Sequence, residues 1–162
     1  MKKAVFFDRD GVLNVDKGYQ FQISSFEWMP GAEKAVKLLN ELDYLVIVVT
    51  NQSGVSRGYY KESHVEKLHY WMNSELKKQN ALINDFFYSI EMPTKVNSKS
   101  RRKPSPLMIF EAIKKYSIDK KKSFLIGDKE SDIKTAENAG IRGYLFKEKN
   151  LLIRVKRILK EF

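Results

Sequence analysis

Three short apolar runs, each ending in a polar residue, most constrain how this 162-residue chain can fold. They are AVFFD (4–8), YLVIVVT (44–50) and SFLIGD (123–128). The runs are nearly continuous rather than alternating, which is typical of parallel strands that are buried on both faces. Because parallel strands require crossover connections, the sequence predicts an α/β protein with a central parallel sheet flanked by helices.

Helical patterns separate the runs, as a parallel sheet requires. The segments PGAEKAVKLLNELD (30–43) and ESHVEKLHYWMNSELKK (62–78) each place apolar residues along one helix face. The remaining pattern predicts helices over 105–116, 130–139 and 150–161 and shorter strands at FFYSI (86–90) and GYLF (143–146). Since no repeat or linker interrupts the chain, we expect residues 1–162 to form a single domain.

The polar ends of the runs are candidates for one common site. Asp8, Thr50 and Asp128 end the three runs, and the carboxyl ends of strands in an open α/β sheet face the ligand crevice. One polar strand end can merely mark where a strand reaches the surface, but three together favour an active site. Asp10 follows Asp8 closely, and an extended backbone would point the intervening Arg9 away from both.

The chemistry of such a crevice follows from its carboxylates, which repel one another unless a cation or a proton intervenes. Mg²⁺ prefers oxygen ligands, so Asp8, Asp128 and a backbone carbonyl near Asp10 are candidates to hold it. Asp8 could then attack phosphorus and form an aspartyl-phosphate, with Asp10 as proton donor to the leaving group. Thr50 and adjacent amides would bind phosphate oxygens, and Lys103 is the candidate to neutralise the phosphoryl group.

Four motifs make the interpretation more specific, and they occur in the order DRDGVLN (8–14), TNQSG (50–54), RKPSP (102–106) and GDKESD (127–132). Together they resemble the motifs of the haloacid dehalogenase (HAD) superfamily of phosphohydrolases. The resemblance covers most of the chain, from about residue 4 to residue 146. It is greatest to the subfamily IIIA branch of heptose-bisphosphate and histidinol-phosphate phosphatases, because of the segments NVDKGY (14–19), FEWMPG (26–31) and NQSGVSRGYY (51–60).

The resemblance implies a Rossmann-like HAD fold without a large cap domain and a Mg²⁺-dependent phosphomonoester hydrolase. It implies that Asp8 is the nucleophile, that Asp10 is the general acid and then the general base, and that Asp8, Asp10 and Asp128 hold the metal with support from Asp132. The residues that it implies for phosphate and substrate binding are Thr50, Asn51, Gln52, Arg57, Arg102, Lys103 and Lys129. Without a cap, the loops over 14–30, 53–60 and 91–103 must supply specificity.

The resemblance implies a small phosphorylated sugar as substrate. The implied reaction removes the 7-phosphate of D-glycero-D-manno-heptose 1,7-bisphosphate. This reaction would belong to the biosynthesis of nucleotide-activated heptose for lipopolysaccharide or capsule. Histidinol-phosphate phosphatase and polynucleotide 3′-phosphatase are alternatives within the superfamily. A basic nucleic-acid-binding module is an alternative from a different class, because the net charge is +10 and KVNSKSRRK (95–103) is basic. That alternative leaves the four motifs unexplained, so nucleic acid is not the partner we expect.

One departure from the resemblance concerns zinc. Heptose-bisphosphate phosphatases usually carry a loop of three cysteines and a histidine before the third motif, and this chain contains no cysteine. The corresponding segment, SIEMPTKVNSKSRRKP (89–104), offers cations instead. We therefore expect no zinc, and we expect the 91–103 loop to be organised by other contacts or to become ordered when substrate binds.

The amino-terminal segment does not resemble a membrane or secretion signal. Only four apolar residues separate Met-Lys-Lys from Asp8, whereas a membrane span needs about 20. We expect a cytoplasmic protein without a membrane partner, and no sequence feature indicates an oligomeric state.

Overall fold

Five parallel strands alternate with helices in the computed structural model, which describes residues 1–162. The strands are β1 (Lys3–Phe7), β2 (Tyr44–Asn51), β3 (Asp85–Ser89), β4 (Phe124–Gly127) and β5 (Arg142–Leu145). The main helices are α1 (Ala32–Glu41), α2 (Glu62–Lys77), α3 (Leu107–Tyr116), α4 (Glu130–Ala139) and α5 (Leu151–Glu161). The predicted fold class, a central parallel sheet flanked by helices, is confirmed.

The order of the strands places β1 at the centre of the sheet. The order is β3-β2-β1-β4-β5, and every neighbouring pair is parallel. Val5 of β1 pairs with Val46 on one side and Phe124 on the other. The chain moves outward from β1 to β3 and then returns to β4, so strand order reverses at β1, where ligands bind in open α/β sheets.

Two hydrophobic layers enclose the sheet, and this explains the continuous apolar runs. Along β1, Phe7 faces a layer that includes α1, α2 and α5, whereas Phe6 faces a layer that includes α3 and α4. Both side chains are fully buried. Successive strand residues point to opposite faces, so a strand covered by helices on both sides needs apolar residues at every position.

The edge strands begin one residue before the predicted ones. β3 and β5 each pair with a single neighbour, so their sequences carry less of the continuous apolar signal that identifies the central strands. None of the helices combines the length and apolarity needed to cross a lipid bilayer.

Candidate active site

The carboxyl ends of β1, β2 and β4 meet around a small cavity of about 50 Å³. Asp8 directly follows β1, Thr50 lies near the end of β2, and Asp128 directly follows β4. The residues that line the cavity are Asp8, Asp10, Thr50, Asn51, Lys103, Lys129, Ser131 and Asp132. The structure thus brings residues of all four sequence motifs to one place.

Three aspartates form an acidic cluster on one side of this cavity. Carboxylate oxygens of Asp8, Asp128 and Asp132 lie within 4.8 Å of one another. The buried ammonium group of Lys103 donates to Asp8 Oδ1 at 2.8 Å and to Asp132 Oδ1 at 2.6 Å. One lysine therefore balances the charge of three carboxylates only in part.

Backbone contacts hold the members of the cluster in place. Asp132 lies in the first turn of α4, where its Oδ2 accepts from the amides of Asp128 and Lys129 at 3.2 Å each. Lys103 is held through Asn51, whose Oδ1 accepts from the Lys103 amide at 2.9 Å and whose Nδ2 donates to the Lys103 carbonyl at 3.3 Å. The end of β2 thereby fixes the position of the lysine.

The electrostatics of the cluster favour the addition of a cation. Burial is the main reason why the pKa of the Asp8 carboxyl is raised to about 8. The negative charges of Asp132 and Asp10 add to the effect of burial, and together they exceed the opposing effect of Lys103. Burial disfavours the charged form of Lys103, but the carboxylates of Asp8 and Asp132 offset burial and raise its pKa above the ordinary value. Burial also raises the pKa of Asp128.

The acidic cluster fits a hard divalent cation. Asp128 Oδ1 is buried without any hydrogen-bond partner, and an unpaired buried carboxylate oxygen is costly. Its other oxygen, Oδ2, lies so close to Gly11 that a Cβ atom there would be 2.2 Å away. Gly11 thus leaves the space that Asp128 occupies. Carboxylate oxygens grouped in this way are the ligands that Mg²⁺ prefers.

The Asp10 carboxylate lies outside the acidic cluster, although Asp10 is predicted as a metal ligand. Arg9 binds it through Nε at 3.1 Å and Nη2 at 3.0 Å. Asn14 Nδ2 donates to the same carboxylate at 2.9 Å and Gln52 Nε2 at 3.0 Å. Because these hydrogen bonds engage the Asp10 carboxylate, the backbone carbonyl near Asp10 is the group of this turn that is available to a metal at the acidic cluster.

The expectation that Arg9 points away from both aspartates is wrong. β1 ends at Phe7 and the chain then turns, with Gly11 at a φ of 86°, so the alternation of an extended strand does not continue to Arg9. Its fully buried guanidinium binds Asp10, the carbonyl oxygen of Gln20 at 2.6 Å and His69 Nε2 at 3.1 Å.

A larger pocket of about 350 Å³ adjoins the small cavity and shares Asp10, Asn51, Lys129 and Ser131 with it. The predicted binding residues Gln52, Arg57, Arg102 and Lys129 all line this pocket. Sequence reasoning missed Asp16, Ser53 and Ser131 as lining residues, although all three lie in or beside the quoted motifs.

Two guanidinium groups line this pocket. The Arg57 guanidinium lies 5.9 Å from the Tyr19 ring centroid. Burial, together with the positive charge of Arg57, lowers the pKa of Arg102. Because like charges repel, this pair is suited to bind an anionic group in the pocket.

The most spacious cavity of the protein, about 650 Å³, lies elsewhere. Tyr44, Leu45 and Lys2 are among the residues that line it, at the opposite ends of the strands from Asp8 and Asp128. It contains none of the residues that the four motifs supply.

Two aspartates, a buried lysine and an acidic cluster at the strand ends of a parallel sheet can support the hydrolysis of a phosphate ester. The sequence comparisons agree. A family model described as HAD-hydrolase-like matches residues 100–149. A D-glycero-β-D-manno-heptose-1,7-bisphosphate 7-phosphatase of Rhodopseudomonas palustris is 39% identical over 99% of this chain and 92% of its own. A D-glycero-α-D-manno-heptose-1,7-bisphosphate 7-phosphatase of Photorhabdus laumondii is 42% identical over 86% of this chain and 79% of its own.

The structural comparison gives the same family. A crystal structure of a D,D-heptose 1,7-bisphosphate phosphatase from B. bronchiseptica, complexed with magnesium and phosphate, aligns with a TM-score of 0.87 at 25% identity and covers 100% of both chains. The chain belongs to the heptose-1,7-bisphosphate phosphatase family of HAD-like hydrolases, and it is a phosphatase. Phosphatases of this superfamily generally use Mg²⁺.

Proposed function

We propose that this enzyme removes the 7-phosphate of D-glycero-D-manno-heptose 1,7-bisphosphate. The observation that carries the proposal is the pairing of two anion sites, since the small cavity beside Asp8 adjoins a pocket that contains Arg57 and Arg102. A sugar with a phosphate at each end matches this pairing. The names of the sequence relatives, which include both anomers of the bisphosphate, support the same substrate.

In the first step, an oxygen of the Asp8 carboxylate attacks phosphorus, and the bond between phosphorus and the sugar oxygen breaks. Asp10 gives its proton to the departing oxygen, which leaves as the sugar hydroxyl. The product on the protein is an aspartyl-phosphate at Asp8. Both residues line the small cavity, so they can reach the same phosphate from different sides.

In the second step, the Asp10 carboxylate takes a proton from a water molecule as its oxygen attacks the phosphorus of the aspartyl-phosphate. The bond to Asp8 breaks and inorganic phosphate leaves. The hydrogen bonds from Arg9, Asn14 and Gln52 hold the Asp10 side chain for both proton transfers.

The other cavity residues bind the phosphate oxygens. Lys103 supplies a fixed positive charge beside Asp8, in a buried site where electrostatic interactions are stronger than in water. Thr50 and Asn51 contribute a hydroxyl and backbone amides at the end of β2. Lys129, which lines both the cavity and the pocket, lies where it can contact the phosphate or the sugar.

Mg²⁺ would be held by Asp8, Asp128 and the carbonyl near Asp10, with Asp132 beside them, and it would offset the charge of the phosphate and the acidic cluster. The cluster carries more negative charge than Lys103 can balance, so this chain's own residues create the need for a cation.

The test is a comparison of kcat/KM across four substrates: both anomers of heptose 1,7-bisphosphate, histidinol phosphate and a 3′-phosphorylated oligonucleotide. We expect a clear preference for one heptose anomer, with release of the 7-phosphate. A preference for histidinol phosphate or for the oligonucleotide would refute the proposed substrate. Asp8→Asn should abolish phosphate release while circular dichroism stays unchanged, and activity in that variant would refute the role of Asp8.

A further inference from the structure

The segment between β3 and Lys103, residues 90–102, contributes Arg102 to the larger pocket and has a hydrogen-bond network of its own. It begins at the edge of the sheet, because β3 pairs only with β2. It contains four basic residues, Lys95, Lys99, Arg101 and Arg102, and a single acidic one, Glu91. A basic segment of this kind needs an internal contact that offsets its self-repulsion if it is to keep one conformation.

Glu91 supplies that contact by joining the start of the segment to its end. Its Oε1 accepts from the Arg101 amide at 2.7 Å and from the Ser89 hydroxyl at 3.1 Å. Its backbone carbonyl accepts from Arg102 Nη1 at 3.0 Å. A hydrogen bond from the Ser100 side chain lowers the pKa of Glu91, and further hydrogen bonds from the Arg101 and Arg102 amides and from Ser89 lower it against the opposing effect of burial.

Arg101 attaches the end of the segment to the body of the protein. Its Nη1 donates to the Tyr88 carbonyl of β3 at 2.7 Å. Its Nε and Nη2 form a two-pronged pair with the Glu111 carboxylate of α3 at 2.8 and 2.9 Å. Such a forked pair fixes the geometry of an arginine more tightly than a single contact does. The loop between these anchors turns back on itself, since Ser100 Oγ accepts from the Asn97 amide at 2.8 Å.

The network determines where Arg102 lies. Arg102 follows Arg101 directly, its side chain donates to the Glu91 carbonyl, and it lines the pocket that also contains Arg57. The loop that carries Arg57 is attached to the same segment, because Ser56 Oγ donates to the Ile90 carbonyl at 2.5 Å. The segment therefore positions Arg102 directly, whereas Arg57 is held mainly within its own loop, where its Nε donates to Ser53 Oγ at 3.3 Å.

We infer that Glu91 is a positioning residue that closes the 90–102 segment and holds Arg102 in the pocket, where Arg102 and Arg57 bind the second phosphate of the bisphosphate. The inference rests on the proposed function and adds to it, because it assigns the preference for a bisphosphate over a monophosphate to a carboxylate that does not line the pocket. Glu91 acts only through Arg102 and takes no part in the chemistry at Asp8.

The test measures KM and kcat for heptose 1,7-bisphosphate and for the corresponding heptose 7-phosphate. Glu91→Ala should raise the KM ratio of bisphosphate to monophosphate about tenfold, since a charge-assisted hydrogen bond to phosphate is worth about that much or more. Its kcat should stay within about twofold, because the segment does not contact the reacting atoms. Glu91→Gln, which keeps the acceptor oxygen, should restore most of the wild-type ratio.

Two further variants complete the design. Arg102→Ala should raise the KM ratio as Glu91→Ala does. The double variant should be no worse than Arg102→Ala alone, since both changes act on the same contact between Arg102 and the second phosphate. Glu66→Ala is the matched control, because Glu66 is an exposed glutamate nearby that contacts Tyr88 and not the segment. It should keep the wild-type ratio.

A second measurement does not depend on the substrate. Trypsin cleaves after lysine and arginine, so the segment offers cleavage sites at Lys95, Lys99, Arg101 and Arg102. Glu91→Ala should speed cleavage there several-fold, whereas Glu66→Ala should not. Unchanged cleavage in Glu91→Ala would refute the ordering role of Glu91.

The kinetic outcomes separate the two proposals. Additive effects of Glu91→Ala and Arg102→Ala would refute action through Arg102, and an equal loss of kcat on both substrates would refute a role confined to binding. If the wild-type enzyme shows no preference for the bisphosphate, the assignment to the second phosphate is overturned together with the proposed substrate. Faster trypsin cleavage in Glu91→Ala would then still identify Glu91 as the residue that orders the segment.

Discussion

The contact between Arg9 and His69 predicts a specific dependence of stability on pH. Arg9 Nη1 lies 3.1 Å from His69 Nε2, and both side chains are buried. The guanidinium can only donate, so the imidazole must accept at Nε2 and be neutral. Burial lowers the pKa of His69 well below its ordinary value, and the positive charge of Arg9 lowers it further.

A histidine that resists protonation in the folded protein favours unfolding in acid. The unfolded chain takes up a proton near pH 6.5, whereas the folded chain does so only at lower pH. The stabilisation is therefore fully present above pH 6.5 and is lost as pH falls toward the folded pKa. Between pH 7.5 and pH 5 the loss amounts to at most about 2 kcal/mol, since it grows by about 1.4 kcal/mol per pH unit below 6.5 and stops at the folded pKa.

His69→Gln removes the titration and keeps an acceptor for Arg9. Urea unfolding at pH 7.5 and at pH 5 should show that the free energy of unfolding falls less in His69→Gln than in wild type, with a difference of at most about 2 kcal/mol. All other titrating groups contribute equally to both proteins, so the difference isolates His69. His64→Gln, at a partly exposed histidine of the same helix, is the control and should keep the wild-type decrease.

His69→Leu separates the hydrogen bond from the titration. It should cost about 1–3 kcal/mol already at pH 7.5, because one donor of the buried Arg9 loses its partner. If His69→Gln loses as much stability in acid as wild type does, burial and the charge of Arg9 do not hold His69 neutral, and the predicted pH dependence is refuted.

Three further perturbations test the site. Lys103→Met leaves the Asp8 carboxylate without its cation. It should lower kcat by at least about 100-fold, measured by phosphate release, and the free energy of unfolding by about 3 kcal/mol, measured by urea unfolding. The raised pKa of Asp8, about 8, means that the metal-free protein loses stability as pH rises from about 4 toward 8. EDTA should abolish activity, and the rise in Tm on adding Mg²⁺ should be larger at pH 8 than at pH 6, because the metal must displace the Asp8 proton. Gly11→Ala should destabilise more than Gly58→Ala: both residues have positive φ, but only at Gly11 would a Cβ atom meet Asp128. Calorimetry should also show that Gly11→Ala weakens Mg²⁺ binding, and equal effects of the two substitutions would contradict the steric role.

The strand ends could be predicted from the sequence because their signal is local. A continuous apolar run identifies a strand that is buried on both faces, and the residue after it must lie at the edge of the sheet. Asp8 and Asp128 could therefore be placed near each other although they lie 120 positions apart in the sequence. The parallel arrangement supplies the geometry that the sequence spacing alone does not contain.

The position of the Asp132 side chain could be predicted only in part. Its place in the first turn of α4 follows from the motif, but its entry into the acidic cluster depends on the close approach of two backbones. At Gly127 a Cβ atom would lie 2.2 Å from the Asp132 Cβ. This close approach is visible only once the strand and the helix are placed in three dimensions.

The partners of Arg9 and Glu91 could not be predicted, because they depend on packing between distant segments. His69 lies 60 positions from Arg9, on a helix where the apolar pattern indicates packing and nothing more specific. Glu91 and Arg101 are ten positions apart in a segment without periodicity. Hydrogen bonds in such a loop leave no repeating pattern, so the sequence shows only that zinc ligands are missing.

The separate surroundings of Asp8 and Asp10 explain how two aspartates so close in sequence can take different roles. Asp8 pairs with Lys103 and faces Asp128, whereas Asp10 pairs with Arg9 on the other side of the turn. Each aspartate has its own cation, so the pair need not share a proton. The excess negative charge arises instead where β1, β4 and α4 meet, since three carboxylates there have one lysine between them. The need for a divalent cation therefore follows from residues that are distant in sequence, and the Asp8–Asp10 spacing alone would not create it.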